Sequence, residues 1–119
     1  MIFKGITRDF SLKNEGQYNT IGAFWDEMTE MYGLENLVGL GYAWRNGIIS
    51  YAIGIKDGII ENHNLEIELP DDDWEIATGK TENLKQIYDE IYKTGPLKYE
   101  IEAFSKDGEC IIRYIRKQK

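Results

Sequence analysis

The chain has one cysteine, one histidine and two prolines among its 119 residues, and each shortage excludes something. A lone Cys110 leaves no intrachain disulfide, so the chain is not a stapled secreted mini-domain. It fits a reducing cytoplasm, which is the expected location, and reads as a packed thiol with no base nearby. A lone His63, in the polar link Glu61-Asn62-His63-Asn64, supports neither a Ser/His/Asp triad nor a buried haem ligand and reads as an exposed loop residue. There is no glycine-rich phosphate loop and no metal-ligand cluster. Asp71-Asp72-Asp73 lacks the spaced ligands of a calcium loop and reads as a solvated turn. No cofactor and no metal are therefore expected. The chain has no run of 18 apolar residues and no apolar N-terminal segment of signal-peptide length, so no membrane association is expected. Positive charge is scarce as well: 14 Lys and Arg stand against 21 Asp and Glu, a net charge of −7. The only basic cluster is Arg113, Arg116, Lys117 and Lys119. Such a field repels phosphate backbones, so no direct nucleic-acid contact is expected. Low proline content and the absence of low-complexity tracts point to a folded chain, and its length fits a single domain over residues 1–119.

Aromatic surface is what the chain has in quantity: three Trp, eight Tyr and four Phe. Residues 2–9 read as a strand and Ser11 to Gly16 as a loop. From Asn19 the period changes. Ile21, Phe24, Trp25, Met28 and Met31/Tyr32 form one helical stripe, with Asn19 or Thr20 as cap and Gly33 as stop. Alternation follows. Val38, Leu40, Tyr42 and Trp44 share one strand face, and Gly39, Gly41 and Ala43 the other. Asn46-Gly47 signals a tight hairpin. On the return strand Ile49, Tyr51, Ile53 and Ile55 oppose a second small face of Ser50, Ala52 and Gly54. Two neighbouring small faces favour close helix packing or room for a ligand. Strands at Leu65–Leu69 and Trp74–Thr78 flank Pro70. Thr81 opens a second helix striped by Leu84, Ile87, Tyr88, Ile91 and Tyr92, and Gly95-Pro96 ends it. Strands 98–104 and 110–116 close the chain around Asp107-Gly108. The order is a β-α-β-β unit used twice, which gives an α+β domain with a natural cleft between its halves.

Glu102 is the leading candidate for chemistry. On strand 98–104, Glu100, Glu102 and Phe104 face away from Tyr99, Ile101 and Ala103. A strand glutamate is ordinarily solvated. A buried one among aromatic rings needs a partner, and an apolar cation is such a partner. Candidate rings are Trp25, Tyr42, Trp44, Tyr51, Trp74 and Phe104.

Four segments together resemble the GyrI-like effector-binding domain, the ligand-binding half of many AraC-type and MerR-type multidrug regulators, which also exists in stand-alone form. Ile21-Gly22-Ala23-Phe24-Trp25-Asp26-Glu27-Met28 is similar to its first helix. Tyr51-Ala52-Ile53-Gly54-Ile55 is similar to its Tyr-x-x-Gly-Val strand. Leu69-Pro70 with Trp74-Glu75-Ile76 and Gly79 resembles its Ile-Pro segment. Ile101-Glu102-Ala103-Phe104 resembles its Ile/Phe-Glu-x-Tyr motif. The family's last strand ends Trp-Ile-Pro-Val, where this chain has Tyr114-Ile115-Arg116-Lys117 and no proline. The resemblance implies a curved antiparallel sheet with two helices and an aromatic cleft, with Glu102, or Glu100 after a two-residue slip, as its acid. It implies a stand-alone protein holding lipophilic or cationic aromatic compounds, for drug or toxin sensing or sequestration. Two other activities of stand-alone members are alternatives: hydrolysis of cyclopropane-bearing alkylating toxins with Glu102 as general base, and binding of gyrase or another protein partner. The oligomeric state stays open.

Overall fold

A computed structural model describes residues 1–13 and 16–117. Two residues of the expected Ser11–Gly16 loop, and Lys119 of the basic tail, lie outside the described residues. The fold is α+β, an open antiparallel sheet of seven strands with two helices. The strands are β1 (Ile2–Ser11), β2 (Leu37–Arg45), β3 (Ile48–Ile55), β4 (Leu65–Glu68), β5 (Glu75–Lys80), β6 (Leu97–Phe104) and β7 (Glu109–Arg116), and the helices α1 (Gln17–Tyr32) and α2 (Leu84–Tyr92). Spatial order is β4-β1-β3-β2-β6-β7-β5. Each half pairs its first strand with its third (β1 with β3, β5 with β7), and β2 meets β6 at the centre. β4 is an added edge strand on β1.

The helical stripe of α1 does what its spacing predicts. Phe24, Trp25 and Met28 are buried against Leu37, Tyr51 and Ile53, each contributing roughly 1.5–3 kcal/mol of apolar burial. The helix begins at Gln17, two residues before the expected cap, and no side chain caps it. The Thr20 hydroxyl instead donates back to the Gly16 carbonyl (3.0 Å). Gly33 ends the helix at φ 87°, its N–H reaching the Thr29 carbonyl at 2.8 Å. Thr81 begins a short 3-10 turn, Thr81–Asn83, that runs into α2 without a side-chain cap. Tyr88 and Ile91 of α2 pack on Leu97, Ile112 and Tyr114. The opposite sheet face has its own core of Phe3, Leu40, Ala52, Leu69 and Ile101.

The two small strand faces point to opposite sides of the sheet, contrary to the reading that placed them together. Paired residues on antiparallel strands share a face, and the register sets Leu40 opposite Ala52 and Gly41 opposite Tyr51. Each small residue thus lies across from a large one. Among the described residues no helix is long and apolar enough to cross a membrane.

Candidate functional site

A cavity of about 490 Å³ lies between α1 and α2, within the range typical of small-molecule sites. Ile21, Trp25 and Thr29 line it from α1, Leu84, Tyr88 and Tyr92 from α2, and β3 and β6 contribute Ile49, Tyr51, Glu100, Glu102 and Phe104. Two larger grooves of about 980 and 720 Å³ open on the other sheet face. Neither is lined by Glu100 or Glu102, the two buried carboxylates among the described residues.

Room for Glu100 and for the rings beside Glu102 comes from β2. Gly39 stands opposite Glu102 in the ladder, and Gly41 opposite Glu100. A Cβ at Gly41 would lie 2.6 Å from Glu100 Oε1 and 2.7 Å from its Cγ. A Cβ at Gly39 would collide with the Tyr51 hydroxyl and lie 2.8 Å from Trp25 Cζ2. A Gly-x-Gly strand beside a Glu-x-Glu strand is therefore a steric unit.

Phenols satisfy the carboxylates. Trp25 Nε1 donates to the Tyr51 hydroxyl (2.8 Å), which donates to Glu102 Oε1. Tyr88 donates to Glu102 Oε2, and Tyr92 donates to Glu100 Oε2 at 3.1 Å. Tyr92 is 37 % exposed, against 1 % for Tyr51 and 4 % for Tyr88, so Glu100 has the partner nearest solvent. Trp25 meets Phe104 edge-on with ring centroids 4.8 Å apart, a favourable quadrupole arrangement. The Thr81 hydroxyl oxygen, on the wall, is buried and makes no hydrogen bond among the described residues.

Burial, followed by the neighbouring Glu102 charge, holds Glu100 well above the ordinary carboxylate value of 4.5. Glu102 is also raised by burial, but donors from Tyr51, Tyr88 and Trp25 pull it back. Side chains two apart on a strand are about 7 Å apart, and at an effective dielectric near 20 two charges at that spacing repel by about 2 kcal/mol. Burial also pushes Tyr51, Tyr88 and Tyr92 upward, so these phenols stay protonated and act as donors. No group of three or more His, Cys, Asp or Glu side chains among the described residues is placed to hold a metal ion.

Of the residues singled out in the sequence, Glu102, Trp25, Tyr51 and Phe104 line this cavity, and Glu100 joins Glu102 rather than replacing it. Tyr42, Trp44 and Trp74 lie elsewhere. Tyr42 packs in the opposite core, its hydroxyl 2.7 Å from Thr7 Oγ1. Trp74 is on that side too, 6.4 Å from the Tyr99 ring, and donates to the Pro70 carbonyl (2.8 Å). Trp44 is turned by a bulge at Ala43, whose φ is 53°, and packs beside Tyr88 and Tyr114. His63 is half-buried rather than exposed, with Nδ1 3.2 Å from the Ile60 carbonyl. Sequence reasoning read Tyr88 and Tyr92 only as helix core. Their four-residue spacing facing a Glu-x-Glu strand was the available signal, because a buried phenol needs a partner. Compared with known protein families, characterised proteins and solved structures, the chain matches none.

Proposed function

We propose that this chain is a small-molecule-binding domain of the GyrI-like kind, taking a lipophilic cation with aromatic character into the cavity between α1 and α2. One observation carries the reading. Two carboxylates, each 4 % exposed, face an aromatic cavity and contact no basic side chain among the described residues. A ligand cation supplies the missing charge, and Trp25, Tyr51, Tyr88 and Phe104 supply ring faces and edges. A desolvated cation–π contact contributes roughly 2 kcal/mol. A few such contacts with the acids amount to micromolar affinity, about −8 kcal/mol. Sensing or sequestering drugs or toxins is the role such a receptor serves.

The hydrolase alternative has less support. Both Glu102 oxygens already accept phenol hydrogens, which lowers the basicity a general base needs. A protein-partner role through the acidic surface has no particular observation behind it.

The test is a titration with rhodamine 6G, following Trp25 emission in protein whose Trp44 and Trp74 are replaced by Phe. Saturable one-to-one binding at micromolar concentration is expected, with at least tenfold weakening in the double variant Glu100→Gln/Glu102→Gln. A wild-type protein that shows no saturable binding to this or other lipophilic cations of its size overturns the reading.

A further inference from the structure

We propose that the Glu100–Glu102 pair carries one proton in the unliganded protein, and that a singly charged lipophilic cation enters in exchange for that proton with Glu100 as its counter-ion. The proposal rests on the cation-receptor reading above and adds the ligand's charge, its contact residue and the proton balance. In the exchange, Glu100 loses its carboxylic proton to solvent, the cation takes its place, and the cavity's net charge is unchanged.

The unequal supply of donors carries the argument. Glu102 has a phenol on each oxygen, from Tyr51 and Tyr88, both in the closed part of the site. Among the described residues Glu100 receives one hydrogen bond, from Tyr92, the most exposed of the three phenols. A carboxylate rich in donors is held ionised, and a neighbour with fewer donors takes up the proton. The pKa directions agree, since Glu102's own charge is a cause of Glu100's rise.

The described residues offer no alternative counter-ion. Tyr88 and Tyr92 face the pair from α2 and Tyr51 from β3, while Tyr18 and Asp26 line the cavity from α1. From β7, Tyr114 stands opposite Glu100 in the ladder and the Cys110 thiol is near Glu102. Two cations lie at the margins. Lys106 at the rim is 3.9 Å from Glu35. Arg116 pairs with Glu75 at 3.0 Å and donates to the Ile91 carbonyl. Neither reaches the acids, so among the described residues no cation neutralises the pair, and a proton is the charge left to it when no ligand is bound.

The position of Gly41 makes Glu100 a contact rather than a packed core acid. The side chain fills the space a Cβ would take at Gly41 and lines the cavity wall. The two acids are equally buried, and the difference lies in their partners: Tyr92, which serves Glu100, is exposed, whereas Tyr51 and Tyr88, which serve Glu102, are buried.

The experiment uses tetraphenylphosphonium, which has no titratable proton, on the full chain in two parts. Infrared spectroscopy of the unliganded protein at pH 7 reads the carbonyl stretch of a protonated carboxylic acid. That band is expected in wild type and absent from Glu100→Gln, whose neutral isostere suits a site already holding a neutral acid. Calorimetry in two buffers of different ionisation enthalpy then counts protons. About one is expected to leave per cation bound, with affinity rising about tenfold per pH unit while the pair is protonated and flat with pH in Glu100→Gln. A missing acid band in wild type overturns the proposal whatever binds. Binding without proton release also overturns it and leaves the receptor reading standing. An acid band with no binding of tetraphenylphosphonium overturns the exchange and counts against the receptor reading, while establishing the proton on its own.

Discussion

Gly39→Ala tests whether the space on β2 is the physical basis of the site. The added Cβ would collide with the Tyr51 hydroxyl and lie 2.8 Å from both Tyr51 Cζ and Trp25 Cζ2. Neither ring yields easily. Tyr51 is 1 % and Trp25 7 % exposed, and a 2.8 Å hydrogen bond ties them together. Overpacking of this kind costs about 1–3 kcal/mol. If the Tyr51 ring moves enough to break its bond to Glu102, an unsatisfied buried acceptor adds about 1–3 kcal/mol. Gly39 does not have a left-handed φ, so alanine returns about 0.4–1 kcal/mol by restricting the unfolded chain. The net expectation is a loss of about 2–4 kcal/mol, a large share of the roughly 5–15 kcal/mol that holds a domain together. Urea unfolding reads this as a midpoint lowered by about 1–2 M at unchanged slope. Gly22→Ala is the control, because its Cβ meets nothing within 4 Å inside α1, and it should gain about 0.5–1 kcal/mol. A Gly39→Ala protein as stable as wild type, or moving with Gly22→Ala, refutes the steric account.

Tyr51→Phe strands the Trp25 N–H and one Glu102 oxygen, and should cost about 1–3 kcal/mol by the same unfolding assay. Stability should fall as pH rises above 4.5. Glu100 and Glu102 bind protons more tightly folded than unfolded, so their contribution is full below the unfolded value of 4.5 and is lost as pH climbs through the folded values, by up to about 1.4 kcal/mol per pH unit per proton. Urea midpoints across that range should be flatter in Glu100→Gln. Trp44→Phe and Trp74→Phe should leave rhodamine 6G affinity within about twofold, while Trp25→Phe, at the cavity wall, should weaken it by about tenfold, the loss of one well-placed aromatic contact.

Much of the fold was legible because local and global signals agree. The Ile21, Phe24, Trp25, Met28 stripe, the alternation on β3 and the Asn46-Gly47 and Asp107-Gly108 turns each correspond to an element where the spacing puts them. Of the candidate site, Glu102, Trp25, Tyr51 and Phe104 were singled out in the sequence, and the structure brings them to one cavity. What alternation could not supply was the sheet's handedness of use, meaning which face each strand turns to the helices. Tyr42 went to the opposite core for that reason. Trp44 differs: the bulge at Ala43 shifts the register between Tyr42 and Arg45 and turns Trp44 onto the helix side, where it packs on the cluster of Tyr88, Ile91 and Leu97 outside the cavity lining. An Ala-Trp step carries no signal for such a bulge. The pairing of Gly39 with Glu102 and of Gly41 with Glu100 requires β2 and β6 to be neighbours, and that contact joins halves some 60 residues apart.

The same pairing explains why the acids are tolerated. An isolated buried carboxylate is costly, and well-packed apolar residues would often be more stable in its place. Here the cost is reduced locally, by Gly41, which lets the Glu100 side chain lie against β2, by Gly39, which admits the Tyr51 and Trp25 rings, and by phenols that reach down from α2 and up from β3. It is not removed, since both acids stay above their ordinary value. The remainder is the free energy a cationic ligand can recover on binding. Occupancy should therefore stabilise the fold by RT ln(1 + [L]/Kd), about 2.7 kcal/mol at a hundredfold excess over Kd. The Glu100→Gln/Glu102→Gln protein should be the more stable one without ligand and the less responsive to it. That opposite ordering of stability and response is what separates a receptor built on stored desolvation cost from a core that merely contains two glutamates.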